Sequence, residues 1–240
     1  MKKLKITNEN TETNKAASYG CEFCGRTFLR ESTILNHICE TKQRWLQKDL
    51  HGNRIAYQTF VQFYQKNTAS KKPKTQLEFI KSAYYIAFVK FGTYCVNVNC
   101  INIPRYVDWL LKNQIKIDSW ASDTTYTKFL IEYLRIEDPL DAIARSVETT
   151  IDLADQEKIL SKDYFRFGNR NKICYAITTG KISPWMLFQS VSGVEFMDRL
   201  DSTQVKMIID YIDPEKWALK FHREPDNVKQ VKEILNIAGY

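Results

Sequence analysis

The chain has few of the residues that interrupt helices and form tight turns, with eight glycines and six prolines among its 240 residues. With so little glycine, and few segments in which apolar and polar residues alternate, the sequence disfavours a large β-sheet. It also lacks a run of roughly 18 apolar residues, the length that a membrane-spanning helix needs. Residues 1–18 include lysines but no apolar stretch behind them, unlike a secretory signal. These absences predict an intracellular, mostly α-helical protein without a membrane partner.

The chain also lacks the short motifs that mark common enzyme sites, among them phosphate-binding loops, nucleophile elbows, two-histidine metal motifs and deaminase patterns. Acidic pairs three residues apart, Asp138 with Asp141 and Asp152 with Asp155, could hold Mg2+ in a nuclease. Exposed helix faces routinely carry such pairs, however. The sequence therefore predicts a protein without catalytic activity.

Positive charge is concentrated in the first third of the chain. Residues 1–75 hold 14 Lys and Arg against 6 Asp and Glu, whereas residues 76–240 hold 21 against 22. Such asymmetry favours a polyanionic partner, most simply nucleic acid, although a solvated basic surface that aids solubility would have the same composition.

A metal-ligand pattern lies within the basic region. Cys21 and Cys24 have C-x2-C spacing, and twelve residues separate Cys24 from His37. Thiolate pairs at this spacing sit on a tight turn, and a histidine at that distance can complete a tetrahedral Zn2+ site. The six cysteines of a chain that is not exported suggest reduced thiols and a metal site rather than disulfides. Three apolar side chains are spaced to form a small core: Tyr19, Phe28 and Ile34.

Residues 19–41, roughly a tenth of the chain, resemble the C2H2-type zinc-finger family. The resemblance implies a ββα unit, with a hairpin around the cysteines and a helix that begins near Arg30. The family has a second histidine or cysteine three to five residues after the first, but position 41 is Thr41. Cys39 is the nearest candidate. Residues two apart on an α-helix point about 200° away from each other, so Cys39 can join His37 only if the helix stops or tightens into a 3₁₀ turn. His51 or a distant cysteine could supply the ligand instead, or the finger could be metal-free.

The resemblance also implies contacts with DNA. In the family, helix positions −1, 3 and 6 meet successive bases in the major groove, and these positions are Arg30, Thr33 and Asn36 here. Further basic residues suit phosphates: Arg26, Lys42, Arg44 and Lys48. One finger covers only about 3 base pairs. We therefore expect it to anchor the chain on nucleic acid, DNA in preference to RNA, rather than to read sequence.

The remainder of the chain has helical periodicity. We predict a flexible polar tail (1–17), a finger with an extended helix through Leu46 (18–50), a basic helix and linker (51–75) and a helical domain (76–240). Helix start signals occur at Thr75, Pro104, Ser122–Asp123, Asp138–Pro139, Ser183–Pro184, Ser202, Asp213–Pro214 and Glu224–Pro225. The helix that begins at Thr75 is expected to end before Gly92. The segments Tyr94–Ile103 and Gln114–Asp118 could form one small hairpin or an irregular arm.

Two features of the helical domain are of interest for function. Cys95 and Cys100 are expected to be buried thiols beside a loop. The sequence DYFRFGNRNK, residues 163–172, interleaves aromatic and basic residues as stacking on unpaired nucleotides requires, although the same residues could cap and pack a helix.

Together these features predict a zinc-dependent nucleic-acid-binding or nucleoprotein-assembly factor with a protein partner. One alternative is an adaptor whose finger holds a partner subunit, and another is an enzyme that acts on nucleic acid. The Lys-, Asn-, Ile- and Tyr-rich usage is typical of AT-rich genomes, including those of large phages, which is a weak indication of viral origin.

Overall fold

The computed structural model describes residues 18–68 and 72–240. The tail predicted for residues 1–17 lies outside the described residues, as does part of the predicted linker, residues 69–71. We call residues 18–50 the finger and the remaining described residues the body.

The finger consists of an antiparallel hairpin and two short helices. Strand β1 (Tyr19–Gly20) pairs with β2 (Thr27–Phe28), with Tyr19 opposite Phe28. Helix α1 covers Glu31–Leu35 and helix α2 covers Glu40–Leu46. The structure thus corrects the expectation of one extended helix through Leu46, because the chain leaves the helical path between Leu35 and Glu40.

The body is built from helices, which confirms the predicted fold class. These helices are α3 (His51–Asn67), α4 (Gln76–Ile80), α5 (Tyr85–Asn97), α6 (Ile103–Lys112), α7 (Asp123–Tyr133), α8 (Pro139–Glu157), α9 (Tyr164–Phe167), α10 (Arg170–Thr178), α11 (Pro184–Gln189), α12 (Val191–Met197), α13 (Ser202–Ile212), α14 (Pro214–Arg223) and α15 (Pro225–Ala238). Short 3₁₀ segments cover Ile117–Ser119 and Ser161–Asp163. In the part of the chain that the structure describes, no helix combines the length and apolar character needed to span a bilayer.

Local capping explains where many of these helices begin. Proline stands in the first turn of α6, α8, α11, α14 and α15, where a missing backbone N–H has no cost. The Asp138 carboxylate accepts hydrogen bonds from two backbone N–H groups in the first turn of α8. Thr75 and Glu78 form a capping box that begins α4. The start signals in the sequence are therefore confirmed at these helices.

The helix predicted to begin at Thr75 and to end before Gly92 is divided differently in the structure. It stops at Ile80, and after a turn α5 begins at Tyr85 and continues through Gly92. A Cβ atom at position 92 would overlap the carbonyl oxygen of Gly52 and would lie 2.9 Å from the backbone nitrogen of Ala56. Gly92 therefore allows α3 and α5 to pack closely instead of ending the helix.

The hairpin proposed for Tyr94–Ile103 and Gln114–Asp118 does not form. The first segment contains the end of α5 and the turn into α6, and the second is a turn followed by a 3₁₀ segment. Among the described residues the finger hairpin is the only sheet. Apolar residues in both segments instead contribute to the helical core, which includes Cys95 and Ile101 and reaches Ile115 and Ile117 at its edge.

The core of the body is rich in large side chains. The largest of its fully buried side chains are Trp120, Trp185, Trp217, Tyr106, Tyr164, Phe79, Phe88, Phe91, Phe129, Phe165, Phe196 and Ile80. Helix α3 shares this core through Ile55, Ala56 and Phe60. The finger joins the body beside α4, because α2 packs against that helix.

Candidate metal centre

The C-x2-C segment forms a tight turn between the two strands. The Cys21 backbone N–H donates a 2.8 Å hydrogen bond to the Arg26 carbonyl, and the Gly25 N–H donates one of 2.8 Å to the Cys21 carbonyl. Gly25 has φ +73°, a left-handed conformation that glycine adopts without steric cost. The turn therefore places the Cys21 and Cys24 side chains beside each other.

The break between α1 and α2 places the other two ligands. Near the end of α1, the Asn36 side-chain amide donates to the Ser32 carbonyl at 3.1 Å, and the His37 N–H donates to the Ile34 carbonyl at 3.1 Å. The second bond joins residues three apart, as in a 3₁₀ turn. Such a tightened turn is the condition under which Cys39 could bind the same metal ion as His37. Cys39 then stands at the N-cap of α2, and its Sγ accepts the Lys42 backbone N–H at 3.4 Å.

Four ligand atoms meet as a result. The side chains of Cys21, Cys24, His37 and Cys39 bring one donor atom each within 4.8 Å of one another, and the Cys24 Sγ lies 3.3 Å from the His37 Nε2. In a tetrahedral zinc site with usual bond lengths, sulfur atoms lie about 3.8 Å apart and a sulfur and a nitrogen about 3.5 Å apart. The cluster could therefore hold a metal ion, and Cys39 lies where a fourth ligand would be needed. Among the described residues His51 is not part of this cluster.

The two thiols of the C-x2-C turn have opposite pKa shifts. The pKa of Cys21 is lowered, mainly because the backbone N–H of Cys24 donates to its sulfur, with further help from the N–H of Phe23. At Cys24 the N–H of Arg26 acts to lower the pKa, but desolvation, hydrogen bonds with the Cys21 and Cys39 thiols and the Cys21 charge outweigh it. The pKa of Cys24 is therefore raised while no cation is present. A divalent cation would relieve this repulsion between thiolates.

The finger has almost no apolar core to replace the metal. Within residues 18–50 only Cys21 is buried, and the three expected core residues, Tyr19, Phe28 and Ile34, are half-buried. Phe28 packs on the His37 ring, with the ring centroids 4.8 Å apart. Five large apolar side chains of the finger are exposed: Leu29, Leu35, Ile38, Leu46 and Leu50.

The predicted nucleic-acid contacts divide into two groups. Arg26, Arg30 and Thr33 are exposed, and no hydrogen bond or ion pair engages their side chains within the described chain. Asn36 is exposed, but its amide is bonded to the Ser32 carbonyl of its own helix. The two arginines are therefore the residues of this set that are most available to an external ligand.

The remaining three predicted contacts have partners inside the protein. The Lys42 ammonium donates to the His37 carbonyl at 3.0 Å, which supports the segment between the two ligands. The Lys48 ammonium lies 2.8 Å from an Asp49 carboxylate oxygen and above the Trp45 ring. Arg44 pairs with Glu40 and also reaches the body.

Arg44 has a role that the sequence did not indicate. Its Nη1 donates to the Ile80 carbonyl at 2.8 Å, and its guanidinium carbon lies 4.3 Å from the centre of the Tyr85 ring. The Trp45 ring, next in sequence, lies 6.0 Å from the Phe23 ring of the C-x2-C turn. Helix α2 thus connects the metal cluster to the body. An aromatic residue shortly after the four candidate ligands, Trp45, was the available signal.

The aromatic and basic motif at 163–172 serves packing between helices. Phe165 is buried, although Phe167 is exposed. The basic side chains of the motif have partners in the body. Arg166 pairs with Glu195, Arg170 donates to the Arg199 carbonyl and Lys172 pairs with Glu157. The motif therefore matches its alternative interpretation, in which the same residues stabilise helix contacts.

Comparison with known proteins adds no further constraint. No protein-family model, no curated protein and no solved structure matches this chain. Inference about function therefore rests on the residues and their geometry.

Proposed function

We propose that the protein is a zinc-dependent, non-catalytic nucleic-acid-binding factor that prefers DNA to RNA. The observation that carries this proposal is the cluster of three thiols and one imidazole on the same small unit as two free, exposed arginines. The cluster supplies a defined shape, and the arginines supply positive charge that phosphate oxygens can contact. The body would hold the finger in place and present a surface for a protein partner.

The donor set supports zinc as the metal. Three sulfur donors and one imidazole nitrogen form a closed four-ligand site, which is the arrangement of structural zinc. Hard cations such as Mg2+ and Ca2+ take oxygen donors instead. A site with no open position suits a structural role rather than activation of a water molecule.

The shape of the finger supports contact with phosphates rather than base reading. Helix α1 has five residues, which is about 7.5 Å of helix, and Asn36 at its end is bonded to its own backbone. Arg26 and Arg30 flank β2 and remain free to bind phosphate. The positive region continues beyond the finger, because residues 51–75 carry five Lys and Arg and no Asp or Glu.

The test measures binding of the zinc-loaded chain to a labelled DNA duplex by fluorescence anisotropy across a salt series. We expect the logarithm of the affinity to fall linearly with the logarithm of salt concentration, because phosphate contacts release counterions. The double charge reversal Arg26→Glu and Arg30→Glu should reduce the slope by about 2 and weaken binding at low salt by tenfold or more. An RNA duplex of the same sequence should bind more weakly.

A matched control keeps the net charge equal while it moves the substitutions to the body. Lys128→Glu with Lys206→Glu changes two exposed lysines on α7 and α13 and should leave the slope close to that of the unchanged chain. Binding that is insensitive to salt would contradict the proposal. An equal loss in the finger and body variants would also contradict it, because only net charge would then matter.

A second candidate function is an adaptor that binds a protein through the finger. The observation in its favour is the set of five exposed apolar side chains, each at least 59 % exposed, on a unit of 33 residues. Such side chains are more typical of a contact surface than of a phosphate-binding one. In this case Leu35→Ser with Ile38→Ser should abolish association with a partner that withstands nuclease treatment, whereas the arginine reversals should not.

A further inference from the structure

A second pair of thiols lies far along the chain from the metal cluster, at the end of α5. Cys95 is in the helix and is 1 % exposed, whereas Cys100 is half-buried just after it. Cys100 also lines a cleft of about 840 Å³ between α8 and α10. One thiol of the pair is therefore reachable from solvent and the other is enclosed.

The end of α5 holds the two cysteines together. Asn99 has φ +50°, the Asn99 N–H donates to the Val96 carbonyl at 3.1 Å, and the Cys100 N–H donates to the Cys95 carbonyl at 2.8 Å. These bonds form a Schellman motif, in which the side chains at the two ends of the longer bond normally touch. Cys95 and Cys100 occupy those two positions.

Covalent geometry gives an upper limit for their separation. With a 2.8 Å bond between the Cys100 nitrogen and the Cys95 oxygen, the two Cα atoms are at most about 6.7 Å apart. Disulfides span Cα separations of roughly 4.4 to 6.8 Å. The separation of the two Cα atoms therefore does not exceed the range that disulfides span.

We propose that Cys95 and Cys100 form a redox-active dithiol that reacts with low-molecular-weight disulfides such as glutathione disulfide. The cleft beside Cys100 suits a ligand that carries both positive and negative groups. Glu148 and Asp152 line it, and so does Lys181, whose ammonium has no partner within the described chain. Glutathione carries carboxylates and an ammonium group that these side chains can bind.

The two thiols have different parts in this reaction. The neighbouring Cys100 thiol and burial both raise the pKa of Cys95, so Cys95 keeps its proton. Cys100 is half-buried beside the cleft, whereas Cys95 is enclosed. Cys100 is therefore the attacking sulfur and Cys95 the resolving one, as in other pairs that join an accessible thiol to an enclosed one.

The reaction has two exchange steps. The Cys100 thiol gives its proton to water, and the resulting thiolate attacks one sulfur of glutathione disulfide, which forms a mixed disulfide. The first glutathione leaves as a thiolate and takes up a proton from water. The Cys95 sulfur then attacks the Cys100 sulfur, the second glutathione leaves, and the Cys95 proton passes to that leaving thiolate. The pair loses two electrons and two protons in total, and glutathione disulfide is reduced to two molecules of glutathione.

The test uses the full zinc-loaded chain, equilibrated with reduced and oxidised glutathione at several ratios. Free thiols are then blocked with an alkylating reagent, and tryptic peptides are analysed without reduction. Residues 91–105 form one tryptic peptide that contains both cysteines and no others. We expect this peptide to lose two hydrogens, and its oxidised fraction to rise from about a tenth to nine tenths over a roughly hundredfold change in ratio.

Variants separate the two roles. Cys95→Ser should retain glutathione on Cys100, and Cys100→Ser should leave Cys95 unmodified. Cys174, which is fully buried, serves as an internal control and should stay reduced. The proposal is overturned if peptide 91–105 of the unchanged chain stays a dithiol at the most oxidising ratio. It is also overturned if Cys95 takes up glutathione as readily as Cys100.

Discussion

The finger and the body are held together by different interactions. In residues 18–50 Cys21 is the only buried residue, while five leucine and isoleucine side chains remain 59–79 % exposed. In the body a continuous core encloses tryptophan, tyrosine and phenylalanine side chains from most of its helices. Burial of large apolar side chains stabilises a domain by about 1.5–3 kcal/mol each, so the body has a source of stability that the finger lacks. Hydrophobic burial therefore stabilises the body, and under the proposed function bonds to a metal ion would stabilise the finger.

Removal of the metal is expected to have the largest effect on the finger relative to the body. With a chelator, or in the Cys21→Ser variant, we expect the finger to unfold and the body to remain folded. Structural zinc sites have apparent binding free energies of about 10–16 kcal/mol, far more than the half-buried Tyr19, Phe28 and Ile34 can supply. Hydrogen exchange followed by mass spectrometry is the measurement, and peptides from residues 18–46 should lose protection.

The control for metal removal is Cys174→Ser, in which the metal cluster is intact and finger peptides should stay protected. Protection of α5 should be almost unchanged by the chelator, because that helix packs on α3 and not on the cluster. Finger peptides that stay protected after complete loss of metal would contradict the assignment of stability to the ligands.

The sequence predicted which thiol and imidazole side chains lie together better than it predicted the path of the chain between them. Spacing pointed to Cys21, Cys24 and His37, and it allowed Cys39 to join them only if the helix breaks. The break itself depends on local hydrogen bonds, from Asn36 to Ser32 and from His37 to Ile34, which compete with continuation of the helix and leave no periodic pattern. The part that could not be predicted was therefore backbone geometry rather than chemistry.

In the body, helix starts were predictable because proline and capping side chains act locally. The continuation of α5 through Gly92 was not predictable, because the glycine is needed there for close packing against Gly52 on another helix. The contact between Arg44 and Tyr85 is likewise long-range, and a single sequence carries no sign of it. Features set by tertiary contacts are those that sequence reasoning missed.

Substitution of Gly92 by alanine should have the next largest effect, and it acts on the body. The added Cβ would overlap the Gly52 carbonyl oxygen, so α3 and α5 must separate. Overpacking of this kind costs about 1–3 kcal/mol, and the better helix propensity of alanine offsets up to about 1 kcal/mol of it. We expect a net loss of about 1–2 kcal/mol in the free energy of unfolding, measured by urea denaturation of the zinc-loaded chain.

Gly20→Ala in the finger is the matched control. A Cβ at Gly20 has no atom within 4 Å, so the free energy of unfolding should change by less than about 0.5 kcal/mol. Equal effects of the two alanines would mean that the close approach of α3 and α5 is not important for stability. Unchanged zinc content in both variants is also expected, since none of the nearest atoms that an added Cβ would meet at either position, its chain neighbours aside, belongs to a candidate ligand.

The smallest expected effect concerns the junction between the two regions. Arg44→Lys keeps the charge but loses the planar group that donates to the Ile80 carbonyl and covers the Tyr85 ring. One hydrogen bond and one cation–π contact correspond to about 1 kcal/mol in total. We expect α2 amides to exchange severalfold faster with zinc still bound. Arg26→Lys should leave them unchanged, because Arg26 is exposed and its side chain has no partner among the described residues. If α2 exchange is the same in both variants, then the metal alone holds α2, and Arg44 is free to contact phosphate as the sequence first suggested.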